Sequence, residues 1–141
     1  MVSSKLKLAY SLLLIIVPLS VWTQGAALGW STYLGGPDMD DSRAMAGDQN
    51  GHIYVLGSTE GTLPNISPTA QQPNPIGGGD AYLVKLSATG ELVWGTYVGG
   101  ERSDDAKSLA VAPNGDVLVL LTTSSQTLLS TADVYQPNYG G

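Results

Sequence analysis

The 141-residue chain has no cysteine, and six Lys and Arg residues stand against twelve Asp and Glu residues, for a formal net charge of −6. An acidic surface repels phosphate groups, and the sequence has no basic stripe, so nucleic acid and anionic lipid are excluded as partners. Without cysteine there is neither a disulfide framework nor a lipid-modified Cys.

The N-terminal segment has the pattern of a secretory signal peptide. Lys5 and Lys7 precede an apolar stretch at 8–22, and small residues follow at 25–27. Fifteen helical residues extend about 22 Å, short of the roughly 30 Å hydrocarbon core, so we expect cleavage near residue 27 rather than an uncleaved anchor. The expected mature chain, 28–141, keeps four basic and twelve acidic residues, a formal charge of −8. We expect it to be exported, without a membrane span, to the cell surface or the medium, with the periplasm as the alternative.

The mature chain predicts short antiparallel strands joined by turns, because β-branched and aromatic residues alternate with polar ones and helical periodicity is absent. The predicted strands, in chain order, are a lone outer strand at 30–34, four strands at about 43–48, 52–58, 80–87 and 91–98, and two more at 107–112 and 116–123. Asn-Gly at 50–51 and 114–115 predicts two-residue hairpins with positive φ at both turn positions. Residues 88–90 join the third and fourth strands, and a Pro-, Asn- and Gly-rich loop occupies 61–79.

Most of this pattern occurs twice, at an offset of 64 residues. Residues 30–36 (WSTYLGG) return as 94–100 (WGTYVGG), and Asp40-Asp41 return as Asp104-Asp105. A fixed period with aligned aromatics, glycines and turns is typical of a repeat architecture whose units stack to bury their apolar faces. We therefore divide the chain into a signal peptide at 1–27, repeat 1 at 30–93 and repeat 2 at 94–141, the second ending in mid-repeat.

The predicted fold is all-β: antiparallel four-stranded blades of a β-propeller, incomplete in this chain, with about one and a half blades plus the outer strand at 30–34. Residues 78–86 (GGDAYLVKL), 90–100 (GELVWGTYVGG), Asp104-Asp105 and 113–119 (PNGDVLV) resemble the bacterial β-propeller repeat family SBBP. The resemblance implies a propeller, commonly seven-bladed, in exported or surface proteins, and brings no catalytic residues. Because a ring needs at least about four blades, we expect the remaining blades in a longer chain, with assembly between chains as the alternative.

The recurring Asp pairs, Asp40, Asp41, Asp104 and Asp105, allow two interpretations. Carboxylates converging on a glycine-rich bend are weak candidates for a Ca²⁺ site, which needs six to eight oxygens. Alternatively, their side chains accept hydrogen bonds from backbone N–H groups and hold the turn into the innermost strand, a common use of Asp. Recurrence in each repeat favours the structural role. No other cofactor is expected.

Three further features favour structure over chemistry. His52 is the single histidine, so a transition-metal site or a histidine-based triad is not expected, and we interpret it as a surface strand residue. The counterpart of Asp48 in repeat 2 is Ala112, which has no carboxylate, so we interpret Asp48 as the residue before a hairpin turn. The glycines at 77–79 lead into a strand, and Asp80 fixes the start of that strand. Two repeated pairs of aromatic residues are expected to pack between strands or blades rather than to form a ligand platform: Trp30 and Trp94, Tyr33 and Tyr97.

These observations predict an exported, non-enzymatic propeller that acts as a surface or extracellular binding or scaffold module. Its ligand, a protein or a glycan, would contact loops at one end of the ring, with 61–79 as the best candidate for specificity. The alternative is the N-terminal part of an exported lyase or hydrolase whose active site lies beyond residue 141. Unique His, Glu or Asp residues that break the repeat pattern would favour that alternative.

Overall fold

The computed structural model describes residues 28–127 and 133–140, so the predicted signal peptide at 1–27 lies outside the described residues. Contacts divide the chain into Met1–Tyr33 and Leu34–Gly141. Of the first unit only 28–33 is described, and it contains no strand. Within the described ranges no helix is long and apolar enough to cross a bilayer.

Repeat 1 forms a four-stranded antiparallel sheet whose spatial order follows the chain. Its strands are β1 (Asp40–Gly47), β2 (Ile53–Thr59), β3 (Asp80–Leu86) and β4 (Leu92–Val98). Repeat 2 contributes a two-stranded sheet of β5 (Asp104–Val111) and β6 (Val117–Thr123). This arrangement confirms the predicted fold class, one whole antiparallel blade followed by the two inner strands of the next.

The second sheet reproduces β1 and β2 at the 64-residue offset, down to an irregularity in the ladder. The register shifts between Ser42 and Ala44 in the first hairpin and between Ala106 and Ser108 in the second. Each bulge carries a basic side chain, Arg43 or Lys107, that pairs with the carboxylate two residues earlier. Equivalent local sequence has therefore produced equivalent local structure, including the bulge.

The hairpins are present, but the predicted two-residue turn is wrong. In the first, the N–H of Gly51 donates to the carbonyl of Asp48 at 3.2 Å, the N–H of Asp48 donates to the carbonyl of His52 at 3.0 Å, and Gly51 has φ +80°. Asn50 does not have positive φ. The loop is thus a turn closed by a left-handed glycine, and Gly90 and Gly115 close the other two hairpins in the same way.

Two strand predictions need correction. β1 and β5 begin at Asp40 and Asp104, three residues before the predicted starts, because each Asp already pairs with the end of the neighbouring strand, at Thr59 or Thr123. The predicted outer strand at 30–34 is absent. A strand requires a hydrogen-bonded neighbour, and each of the six described strands pairs as given above.

One buried cluster lies where the first sheet packs against the second. Tyr54, Leu56, Ala81 and Leu83 from β2 and β3 form a buried cluster with Ala106 of β5. Leu109, Val111, Val117 and Leu121 of the second sheet pack against it. Ser58 joins the sheets at one edge, because its Oγ accepts from the N–H of Ala106 at 2.9 Å and donates to Asp105 at 3.1 Å. Burying a side chain such as Leu56 contributes about 2–3 kcal/mol.

The antiparallel order places two kinds of connection at opposite ends of the sheets. The three glycine-closed turns form the hairpin end. The long connection 60–79, the bend 99–103 and the segment 124–127 after β6 form the loop end. The long connection runs along the free edge of β4, where the N–H of Tyr97 donates to the carbonyl of Gln72 at 3.0 Å and the Tyr97 hydroxyl accepts from the N–H of Leu63 at 2.6 Å.

Candidate functional site

Three aspartates stand at the loop end, each as the first residue of a strand. Asp40, Asp80 and Asp104 begin β1, β3 and β5. In each of them one carboxylate oxygen, Oδ1, is buried and has no hydrogen-bond partner among the described residues. Three equivalent side chains with the same lone oxygen make this end of the molecule the candidate functional site.

The second oxygen of each aspartate holds a turn. Asp40 Oδ2 accepts from the N–H of Gly36 at 2.6 Å, and Asp104 Oδ2 accepts from the N–H of Gly100 at 2.7 Å. Asp104 Oδ2 also accepts from the hydroxyl of Ser125 at 2.9 Å. The predicted turn-fixing role is therefore confirmed for the first member of both Asp pairs.

The second member of each pair points elsewhere, because successive strand side chains alternate between faces. Asp41 forms an ion pair with Arg43 at 2.7 Å, and Asp105 pairs with Lys107 and accepts from Ser58. The pairs Asp40-Asp41 and Asp104-Asp105 thus do not converge on one point. Over the described part of the chain no three His, Cys, Asp or Glu side chains gather in a metal-binding group.

Asp80 is wholly buried and lies close to Asp104. Its Oδ2 accepts from the N–H of Ile76 at 2.5 Å and from the side-chain amide of Gln72 at 3.2 Å, which confirms that it fixes the start of β3. Burial raises the pKa of the Asp80 carboxyl, and the negative charge of Asp104 raises it further. The backbone reinforces this proximity, since the N–H of Asp104 donates to the carbonyl of Gly79 at 2.9 Å.

Gly99 lies between the two carboxylates, and the space around it leaves no room for a side chain. A Cβ atom at this position would lie within 3.0 Å of both Asp80 Oδ1 and Asp104 Oδ2. Sequence reasoning assigned Asp80 and Asp104 to different local turns and missed their meeting. The available signal was that both residues follow a glycine-rich stretch and open a strand, which places them at the same end of antiparallel strands.

A cleft of about 230 Å³ opens beside this pair. Gln71, Gln72 and Ile76 of the long connection line one side, and Gly99, Gly100, Glu101 and Thr127 line the other. The carboxylate of Glu101 is held by the hydroxyl of Thr127 and the N–H of Gln126, which lower its pKa to about 2. The lining therefore offers polar and negatively charged groups to a ligand, in fixed positions.

His52 lies at the hairpin end, at the opposite end of its sheet from the cleft. It directly precedes β2, and its Nδ1 lies 2.8 Å from Asp48 Oδ2. Burial raises the pKa of Asp48, but hydrogen bonds from the side chain and backbone of His52 and from the N–H of Asn50 outweigh it and lower the pKa to about 2. Asp48 thus holds the turn, and His52 is a half-buried turn residue rather than the predicted surface strand residue.

The aromatic residues divide into two groups. Tyr97 is buried, and Trp94 packs edge-to-face on Tyr54 with ring centroids 6.0 Å apart, so packing is confirmed for repeat 2. Tyr33 is 97% exposed, so the packing prediction is wrong at that position. The physical reason is the absence of a strand at 30–34, which leaves no sheet face to receive the ring.

Comparison with known proteins agrees with this architecture. Blades of four antiparallel strands, repeated along the chain, define a β-propeller repeat protein. Residues 29–63 match the model of the SBBP family, a beta-propeller repeat. The chain is also 30% identical over 108 residues to a protein named "Regulatory protein FlaEY" from Caulobacter vibrioides. That match covers 74% of this chain and 11% of the relative.

Proposed function

We propose that this chain is a section of an exported, non-enzymatic β-propeller that binds a ligand or acts as a scaffold at the cell surface or outside the cell. The observation that carries the proposal is the loop end. A connection of twenty residues, 60–79, is fastened at Leu63, Gln72 and Asp80 and exposes most of its other side chains beside a cleft. A rigid scaffold that presents an exposed loop is the usual arrangement of a binding surface.

The stacking of blades supports the propeller part of the proposal. Tyr54 and Leu56 of β2 are 3% and 0% exposed because the second sheet covers them. Their counterparts Leu118 and Leu120 of β6 are 58% and 60% exposed. An apolar face of this kind is suited to a further blade, which would bury it as the second sheet buries the first.

The chemistry of the loop end supports binding rather than catalysis. The aspartates there recur at equivalent strand starts and hold turns, whereas the single histidine of the chain lies at the other end. Among residues 28–127 and 133–140 no hydrogen bond links a histidine to a hydroxyl nucleophile, the arrangement that activates one. The name of the relative, a regulatory protein, is compatible with a binding role.

Binding is tested with surface-exposed variants of the full chain at the two ends. Gln71→Arg places a long cation in the cleft, and Gln49→Arg makes the same change at the hairpin end, where the residue is also exposed. Labelled proteins are applied to a glycan array and to surface proteins of the producing bacterium. We expect Gln71→Arg to lose at least tenfold in affinity and Gln49→Arg to bind as the unchanged chain does. Equal binding by all three proteins would refute a ligand site at the loop end.

Export is tested separately, because it rests on the N-terminal sequence. Residues 1–27 are fused to alkaline phosphatase lacking its own signal, an enzyme that is active only after export. We expect activity from the fusion and its loss when Leu14→Arg places a charge in the apolar stretch. Activity that survives Leu14→Arg, or no activity from either fusion, would contradict the signal-peptide prediction.

A further inference from the structure

The seam between the two sheets holds two buried carboxylates that face each other across Gly99. Asp80 and Asp104 are 0% and 1% exposed, and each has one lone oxygen, Oδ1, without a partner among the described residues. Buried polar atoms are nearly always satisfied, so each exception indicates a missing partner. Here two exceptions occur on neighbouring side chains, since Asp80 Oδ1 and Asp104 Oδ2 flank Gly99.

At this seam the second oxygen of each carboxylate is already engaged. Asp80 Oδ2 accepts two hydrogen bonds, and so does Asp104 Oδ2. No Lys, Arg or His side chain of the described residues forms an ion pair with either one. Two adjacent buried carboxylates without a cation are unfavourable when both are ionised, since buried charges are paired or coordinate metals.

We propose that Asp80 and Asp104 form a binding site for a hard divalent cation, Ca²⁺ in the first place, at the seam between consecutive blades. The lone Oδ1 atoms are the protein's anionic ligands, and oxygen-only donors suit Ca²⁺ rather than a transition metal. Water and backbone carbonyls of the surrounding loops complete the six to eight oxygens that Ca²⁺ takes. Gln72 and Gly99, which adjoin the pair, also line the cleft.

The number of carboxylates sets the affinity for Ca²⁺ that we expect. Two carboxylates form a small anionic ligand set, and no third His, Cys, Asp or Glu side chain of the described residues joins them. Calcium affinity rises with the number of charged ligands, and extracellular modules bind at about 10⁻⁴ to 10⁻³ M. We place this site in that range.

Asp40 supplies an internal control. It opens β1 as Asp104 opens β5, holds Gly36 as Asp104 holds Gly100, and has the same lone Oδ1. To form the same pair of carboxylates, Asp40 would need a residue equivalent to Asp80 from a preceding blade. Asp40 therefore keeps the turn function without the second carboxylate, and we expect it to bind no ion in this chain.

The test is equilibrium dialysis of the full chain against CaCl₂ at pH 7.5, with thermal unfolding in parallel. We expect one Ca²⁺ per chain and a Tm raised by roughly 5 °C at 10 mM CaCl₂. Asp80→Asn and Asp104→Asn, which keep an oxygen acceptor for the turn, should each weaken binding at least tenfold. Asp40→Asn should bind as the unchanged chain does. MgCl₂ should compete weakly, since Mg²⁺ requires near-octahedral geometry.

Two results obtained with the unchanged chain would overturn the proposal. One is the absence of bound Ca²⁺ at 10 mM in a chain that unfolds cooperatively. The other is a Tm that is indifferent to CaCl₂ but rises between pH 7.5 and pH 5.5, which would assign the space between the carboxylates to a shared proton. Equal loss of binding in Asp40→Asn would also contradict the seam assignment.

Discussion

β2 and β6 occupy equivalent positions in the two repeats, yet one is wholly inside the molecule and the other lies largely at its surface. Every residue of β2 except Ser58 is buried, whereas β6 has no buried residue. Both strands are apolar and both pair with the preceding strand in the same register. The difference arises from their neighbours, because β3 covers the free edge of β2 and the second sheet covers one of its faces. Whether a strand of a repeat protein is buried therefore depends on the units stacked against it rather than on its own sequence.

The largest expected effect contrasts Leu56→Ala with Leu120→Ala. Leu56 is 0% exposed and Leu120 is 60% exposed. Removing a buried Leu side chain costs about 2–5 kcal/mol through lost transfer energy and the cavity left behind, and the exposed counterpart should change stability by less than about 0.5 kcal/mol. Urea unfolding of the full chain measures both. Similar losses at the two positions would mean that β6 is covered in solution.

Gly99 and its repeat-1 counterpart Gly35 compare the two bends. Gly99→Ala places a methyl group against both buried carboxylates, whereas Gly35→Ala meets only Asp40, whose Oδ2 lies 2.7 Å from the new Cβ. Overpacking costs about 1–3 kcal/mol, and we expect Gly99→Ala at the upper end and Gly35→Ala at the lower end. Thermal unfolding of the two variants decides the order. A larger loss in Gly35→Ala would indicate that the seam tolerates a side chain.

Ser58→Ala tests the hydrogen bonds that join the sheets, with Thr122→Ala as its counterpart in β6. Removal of the Ser58 hydroxyl leaves the N–H of Ala106 and the Oδ1 of Asp105 without this partner. We expect a loss of about 1–2 kcal/mol for the unsatisfied groups and almost none for the exposed Thr122. The free energy of unfolding in urea is the measurement. A neutral Ser58→Ala would show that water replaces the hydroxyl at the seam.

The smallest effect concerns the turn at Asp48, which repeat 2 builds with Ala112. The pKa of Asp48 is lowered to about 2 from 3.8, so its stabilising contribution is present above pH 4 and is lost as the pH falls through about 2. Asp48→Ala should lower Tm at pH 5 and make little difference at pH 2. Thermal unfolding across this range, with Asp116→Ala as a control carboxylate in the second turn, measures it. A constant difference between pH 5 and pH 2 would exclude the charge of Asp48 as the cause.

Much of the local structure could be predicted because it depends on near neighbours in the chain. Alternation located all six strands, and the Asn-Gly and Thr-Gly pairs located three hairpins, since glycine readily takes positive φ. The type of turn was missed because each of the three turns places only its glycine at positive φ. Asp48 and Ser87 add hydrogen bonds from the N–H groups two and four residues later, but Ala112 builds the same turn without them.

The candidate site could be predicted only in part. The Asp-before-strand pattern identified Asp40 and Asp104 as residues that hold turns, and the structure confirms that role. The meeting of Asp104 with Asp80 depends on how one sheet packs on the next, and a 24-residue separation carries no information about that packing. The absent strand at 30–34 has the same explanation, because its sequence matches β4 and only a neighbouring strand decides whether it pairs.

The sequence by itself determined the repeat, six strands to within three residues of their starts, and the turn aspartates, because these follow from side-chain alternation and from hydrogen bonds within a few residues. Tertiary structure alone decided which apolar face is covered, where the long connection is fastened and which carboxylates share the seam. The physical reason is that burial and charge proximity depend on distances between elements that are remote in the chain. Identical motifs 64 residues apart can therefore lie in unlike surroundings.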